Sequence, residues 1–185
     1  MHIIGITGTL GAGKGTIVSY LVTHHGYAHY SVRSLLTSEI RARGLPVDRD
    51  SMVVVANDLR RSHTPSYLVE CLYEQAHAEG RDAVIESIRT PGEVSALRSR
   101  PDFVLFAVDA SPRRRYRRIL QRGSDTDRIG YDEFLAQERR EMTSEDPHQQ
   151  NLSACMGMAD YSFTNDSDTQ SLYRQVEEAL EAIDL

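Results

Sequence analysis

Cysteine is scarce in this 185-residue chain: only Cys71 and Cys155 occur. Two isolated cysteines give no metal-ligand spacing, no disulfide framework and no redox motif, which leaves both as small core residues. No apolar run approaches the ~20 residues of a membrane-spanning helix, so a membrane is not an expected partner. The N-terminus lacks the basic head and small-residue cleavage site of a secretory leader; with unpaired thiols, this points to the cytoplasm. Internal repeats and low-complexity segments are missing too. One domain over residues 1–185 is therefore expected, with a hydrophobic fraction of 40% to fill its core. Positive charge is in deficit: 21 Lys and Arg stand against 27 Asp and Glu, for a net charge of −6. That balance argues against a general nucleic-acid surface. Nothing in the composition fixes the oligomeric state.

What is present is an alternation of strand-like and helix-like segments. Strands are expected at Ile3–Ile6, Ala28–Tyr30, Ala83–Ile85, Phe103–Val108 and Tyr161–Phe163. Helices are expected from Gly13 to His25, Ser34 to Arg43, Asp50 to Arg61, Pro65 to Glu79, after Pro91, after Pro112, from Tyr131 to Met142, up to Met156, and from Ser171 to Ile183. In the first helix Ile17, Val18, Leu21 and Val22 form the inward face. Residues 123–130 are polar and turn-rich and read as a loop. Strands separated by helices imply a parallel sheet covered on both faces, an α/β fold. Ligands of such sheets sit beyond the carboxyl ends of the strands, so chemistry is expected just after Ile6, Tyr30, Ile85, Val108 and Phe163.

After the first strand comes Gly8-Thr9-Leu10-Gly11-Ala12-Gly13-Lys14-Gly15-Thr16. Glycines let main-chain N–H groups turn inward around an oligophosphate, and the helix opening near Gly13 offers its own unpaired N–H groups. The expected phosphate cradle is Gly11, Ala12, Gly13, Lys14, Gly15 and Thr16, with Lys14 as a point charge on the terminal phosphates. After the third strand, Glu86 can hold magnesium through its water shell, together with Thr16. Arg89, three residues on, can grip a second anion with a planar fork. After the fourth strand, Asp109 also reads as a simple helix-opening turn. The helix that follows carries Arg113, Arg114, Arg115, Arg117, Arg118 and Arg122. Tyr116, Ile119 and Leu120 are expected inward and Arg114, Arg118 and Arg122 outward. Either this is a solvated basic face, or Arg118, Arg122 and Arg128 complete a triphosphate site.

The loop resembles that of adenylate kinase and other nucleoside monophosphate kinases, which also carry Gly-Lys-Gly-Thr. Ser31 to Leu36 falls where those kinases open their monophosphate-binding insert, and Val84 to Thr90 resembles their strand followed by Asp-Gly-Phe-Pro-Arg-Thr. Val108 to Pro112, the arginine-rich helix and Ala159 to Asp166 also resemble dephospho-CoA kinase. The resemblance implies a three-layer P-loop kinase fold with a five-stranded parallel sheet, an acceptor-binding insert at 31–66 and a lid at 122–147. It implies ATP as phosphoryl donor with Mg2+, and a small nucleotide-like acceptor, foremost a (deoxy)nucleoside monophosphate. Lys14, Arg89, Arg118 and Arg122 would be catalytic. Asn165 would lie by the donor nucleotide, and Ser31, Arg33, Arg60 and Arg89 by the acceptor. Two departures stand out. The family's Gly-Asp falls on Arg33-Ser34 and its following arginine on Thr37. The acid that dephospho-CoA kinase carries after its second strand is missing from Ser31-Val32-Arg33, which leaves Asn57-Asp58 on the insert as the candidate acceptor-side acid. A dephospho-CoA-like or modified-nucleotide kinase, and a nucleotide-binding switch or slow ATPase acting on a protein, stay open as alternatives.

Overall fold

The computed structural model describes residues 1–123 and 129–183. Its elements run β1 (Ile3–Gly8), α1 (Lys14–His25), β2 (Ala28–Ser31), α2 (Val32–Ala42), α3 (Arg49–Ser62), α4 (Tyr67–Glu79), β3 (Ala83–Glu86), α5 (Pro91–Arg98), β4 (Phe103–Asp109), α6 (Pro112–Arg122), α7 (Tyr131–Met142), α8 (Leu152–Gly157), β5 (Tyr161–Thr164) and α9 (Thr169–Ile183). The five strands form one parallel sheet in the order β2-β3-β1-β4-β5. All five expected strands are there, β1 extended by two residues at its end and each of the others by one.

Alternation along β1 builds the two cores. Ile3 faces a layer with Leu36, Ile40, Leu68, Leu72, Val94 and Leu97, from α2, α4 and α5. Ile4 and Ile6 face the opposite layer with Ile17, Leu21, Leu172 and Val176, from α1 and α9. Side chains of a strand point alternately to its two faces, so near-continuous apolar strands need helices on both sides. Gly5 sits in the first layer because the Ile88 methyl and the Phe103 ring come within 2.4 and 2.7 Å of where a Cβ would stand.

Three expectations are corrected. Val22 is 38% exposed, so the inward face of α1 is Ile17, Val18 and Leu21. On α6 the buried pair is Arg115 and Ile119, while Leu120 is 48% exposed. A helix one turn from the sheet's carboxyl edge meets main-chain carbonyls as well as apolar side chains, and a guanidinium satisfies those carbonyls where leucine cannot. Of the two cysteines only Cys155 is fully buried, its thiol pushed up to about 12 by that burial; Cys71 is half-buried.

Candidate functional site

The carboxyl ends of β1, β2 and β3 border a cavity of about 780 Å³, within the range of small-molecule sites. Its walls bring together Gly11, Gly13, Lys14, Gly15 and Thr16 of the loop with Ser31 and Arg33, Arg60, Glu86, Arg89, Arg118 and Arg122. Leu36, Val47, Met52, Val53 and Ala56 add an apolar stretch from α2, α3 and the segment between them. Ala12 is buried behind the loop, and Asn165 lies beneath it. Arg128 lies outside the described residues.

Backbone conformation shapes the loop. Gly8, Gly11 and Gly13 have φ of 141°, 78° and 116°, the left-handed side that favours glycine. A Cβ on Gly8 would stand 2.1 Å from the Val108 carbonyl oxygen, and one on Gly13 would stand 2.3 Å from Asn165 Nδ2. Lys14, the chain's one lysine, folds back: its Nζ donates to the carbonyls of Gly8 at 2.7 Å and Thr9 at 2.9 Å. Burial, and then the Arg89 charge, bring its pKa from 10.5 down to about 7.

The arginines divide by partner. Arg118 donates to the carbonyl of Asn165 at 2.8 Å and to that of Ala12 at 3.3 Å. Asn165 Nδ2 donates to the same Ala12 oxygen at 2.8 Å. Both side chains therefore hold the loop from behind. Arg60 is 3% exposed and sits in an ion pair, its Nη2 2.7 Å from Oε1 of the fully buried Glu93. Arg33 is exposed and has no acidic partner among the described residues. Arg89 donates through Nη1 to Gln150 at 2.7 Å and to Glu141 at 3.3 Å. Glu86 accepts from His29 Nε2 at 3.1 Å, and this bond holds its carboxyl below the usual range. Asp58 is turned away from the cavity and bonded to Arg43. The polar groups α3 turns inward are Asn57 and Arg60, with Asp48 at its N-cap.

Several residues with a part in the site carried no readable signal. Arg115, one arginine among six on α6, is 2% exposed. It donates from Nε to the Ala110 carbonyl at 2.6 Å, reaches the Leu10 carbonyl of the loop at 3.4 Å, and forms a two-pronged pair with Glu138 of α7. Thr9 donates to Asp109, which also accepts from the Ala110 N–H at 2.8 Å. That fits the helix-opening reading of Asp109. His29, Glu141 and Gln150 are far from the loop in sequence. Glu93 also caps its own helix, since Thr90 and Glu93 form a capping box.

Comparison with known proteins gives the following. The family described as "AAA domain" matches residues 4–146. A UPF0200 protein of Methanothermobacter thermautotrophicus is 28% identical over 182 residues, covering 97% of this chain and 90% of that protein. Among solved structures, TT1252 from Thermus thermophilus has a TM-score of 0.67 at 20% identity, covering 98% of this chain and 97% of that one. Shikimate kinase from Bacteroides thetaiotaomicron has a TM-score of 0.62 at 16% identity, covering 100% and 99%. Likeness at such identities speaks to the fold, and that fold is the P-loop kinase arrangement.

Proposed function

This chain belongs to the AAA domain family, and from that premise we propose that it is an ATP-dependent phosphotransferase acting on a small nucleotide-like acceptor. One observation carries the reading. A single cavity brings the glycine loop and its one ammonium group together with Arg33, Arg89 and a partly apolar wall. That is what alignment of a donor and an acceptor requires, and phosphoryl transfer depends chiefly on alignment and charge neutralisation.

In this reading the N–H groups of residues 11–16 cradle the donor phosphates. Lys14 exchanges its two carbonyl partners for phosphate oxygens and follows the charge as it moves. Arg118 and Asn165 hold the Ala12 carbonyl back, so that the loop's N–H groups face the donor. Arg122, on the cavity wall, adds charge on the donor side. Among the described residues no three His, Cys, Asp or Glu side chains cluster as a metal cage. The oxygens of Thr16 and Glu86 on the cavity wall fit instead a magnesium ion that arrives with ATP and keeps several waters. When bound, it supplies positive charge to the transferring phosphates. An ATP-consuming reaction fits a cytoplasmic setting, and no helix among the described residues is long and apolar enough to cross a membrane.

The acceptor we favour is a (deoxy)nucleoside monophosphate, its base on the apolar wall and its phosphate at Arg89 and Arg33. A hydroxyl acceptor, as in a dephospho-CoA-like or modified-nucleotide kinase, has one observation in its favour: Arg60 is closed against Glu93, which leaves fewer cations for an acceptor phosphate. Incubation with γ-labelled ATP, magnesium and a panel of acceptors tests both. Label on a monophosphate supports the first reading and label on a nucleotide hydroxyl the second. Label released only to water would overturn both in favour of a slow ATPase or switch.

A further inference from the structure

Arg89 is fixed at every point except one edge. Its N–H donates to Glu93 Oε2 at 2.8 Å, and its carbonyl accepts from the Asn151 N–H at 2.9 Å. At the far end, Nη1 donates to Gln150 Oε1 at 2.7 Å and, at 3.3 Å, to Glu141. Nε and Nη2 have no partner among the described residues. An arginine has five N–H donors in a rigid plane, so fixing Nη1 fixes the direction of the Nε–Nη2 edge. That edge matches two oxygens of a phosphate.

From this geometry we infer that Gln150 is a positioning residue that aims the free edge of Arg89 at a tetrahedral oxyanion in the cavity. It rests on the reading of the cavity as a two-substrate site. Gln150 is suited to the task because it is neutral: it makes the shorter of the two bonds to Nη1 without adding to the negative charge that Glu141 already sets against that nitrogen. A carboxylate alone in that place would hold the fork and compete with the ligand. The main chain supports the arrangement, since Asn151 binds the Arg89 carbonyl while the side chain beside it binds the guanidinium. One short segment thus grips both ends of the same residue.

The test is calorimetric titration of inorganic phosphate into the full chain, with the loop already filled by magnesium and a non-hydrolysable ATP analogue. Gln150→Ala should weaken phosphate binding about fivefold or more while leaving affinity for the analogue unchanged. Gln150→Met, which keeps the length and removes the acceptor oxygen, should do the same. In an Arg89→Ala background neither change should have any further effect. A merely structural role would move both ligands together and add to the Arg89 loss. Unchanged phosphate affinity in both Gln150 variants, or an equal loss when Arg89 is absent, would overturn the inference. A phosphate site coupled in this way in a protein that phosphorylates nothing on the panel would retain the positioning role and sink the kinase reading alone.

Discussion

Replacing Glu93 by Gln leaves the Arg60 guanidinium inside the protein without its counter-charge. Arg60 is 3% exposed and Glu93 0%, with Nε 3.2 Å and Nη2 2.7 Å from the same carboxylate oxygen. The second oxygen accepts the N–H groups of Arg89 at 2.8 Å and Thr90 at 3.0 Å. A buried ion pair gains little over apolar packing, but breaking one by removing a single partner costs about 3–5 kcal/mol. Gln at position 93 keeps one oxygen for the two N–H groups but turns its amide NH2 toward the Arg60 donors, so the loss joins the uncompensated charge to two broken hydrogen bonds. At about 2–4 °C per kcal/mol for a domain of this size, the melting temperature should fall by roughly 6–20 °C. Urea unfolding followed by circular dichroism measures the free energy directly. Arg60→Met combined with Glu93→Gln removes the orphaned charge and should recover at least half of the loss. A single-variant loss below about 1 kcal/mol, or a double variant as unstable as the sum of its parts, would show that the pair is not carrying a buried charge as argued.

Other expected outcomes follow from the same geometry. Lys14→Met should lower phosphoryl transfer by about a hundredfold or more while the fold, followed by circular dichroism, is retained; turnover near wild type would refute the role of Lys14. Arg89→Ala should raise the acceptor KM more than the ATP KM, and the reverse pattern in steady-state kinetics would move Arg89 to the donor side. Because the Lys14 pKa in the free protein is about 7, and phosphates bind its charged form, ATP affinity should fall as pH rises from 7 toward about 9, by up to tenfold per unit. Titration calorimetry in buffers of different ionisation enthalpy would register the proton taken up. In the ligand-free protein the sign is opposite: between about 7 and 10.5 the unfolded chain holds the extra proton, so stability from this group rises with pH. Gly13→Ala should destabilise, since φ is 116° and Asn165 Nδ2 stands 2.3 Å from the new Cβ. Gly15→Ala has nothing within 4 Å and should stabilise α1 by about 0.5–1 kcal/mol; thermal melts of the two variants would separate them.

The strands were legible because each is a short apolar run between turn signals. The phosphate loop was legible because its chemistry sits in consecutive residues. On α6 the reading failed. Six arginines give one polar signal, and a periodicity that assigns leucine inward has no means of finding a guanidinium wanted by the carbonyls of Leu10 and Ala110. Arg60 was read as a free cation for the acceptor, because its partner Glu93 lies 33 residues away on another helix.

Local order alone determined the α/β alternation, the glycine cradle and Lys14 beside it. These depend on backbone preference and on side-chain period, both of which act over a few residues. Which charges are cancelled and which are left to meet a ligand was decided only by the tertiary structure. Charge pairing depends on distance in space, and folding brings Arg60 to Glu93, His29 to Glu86, Arg115 to Glu138 and Gln150 to Arg89 across 23 to 61 residues of chain.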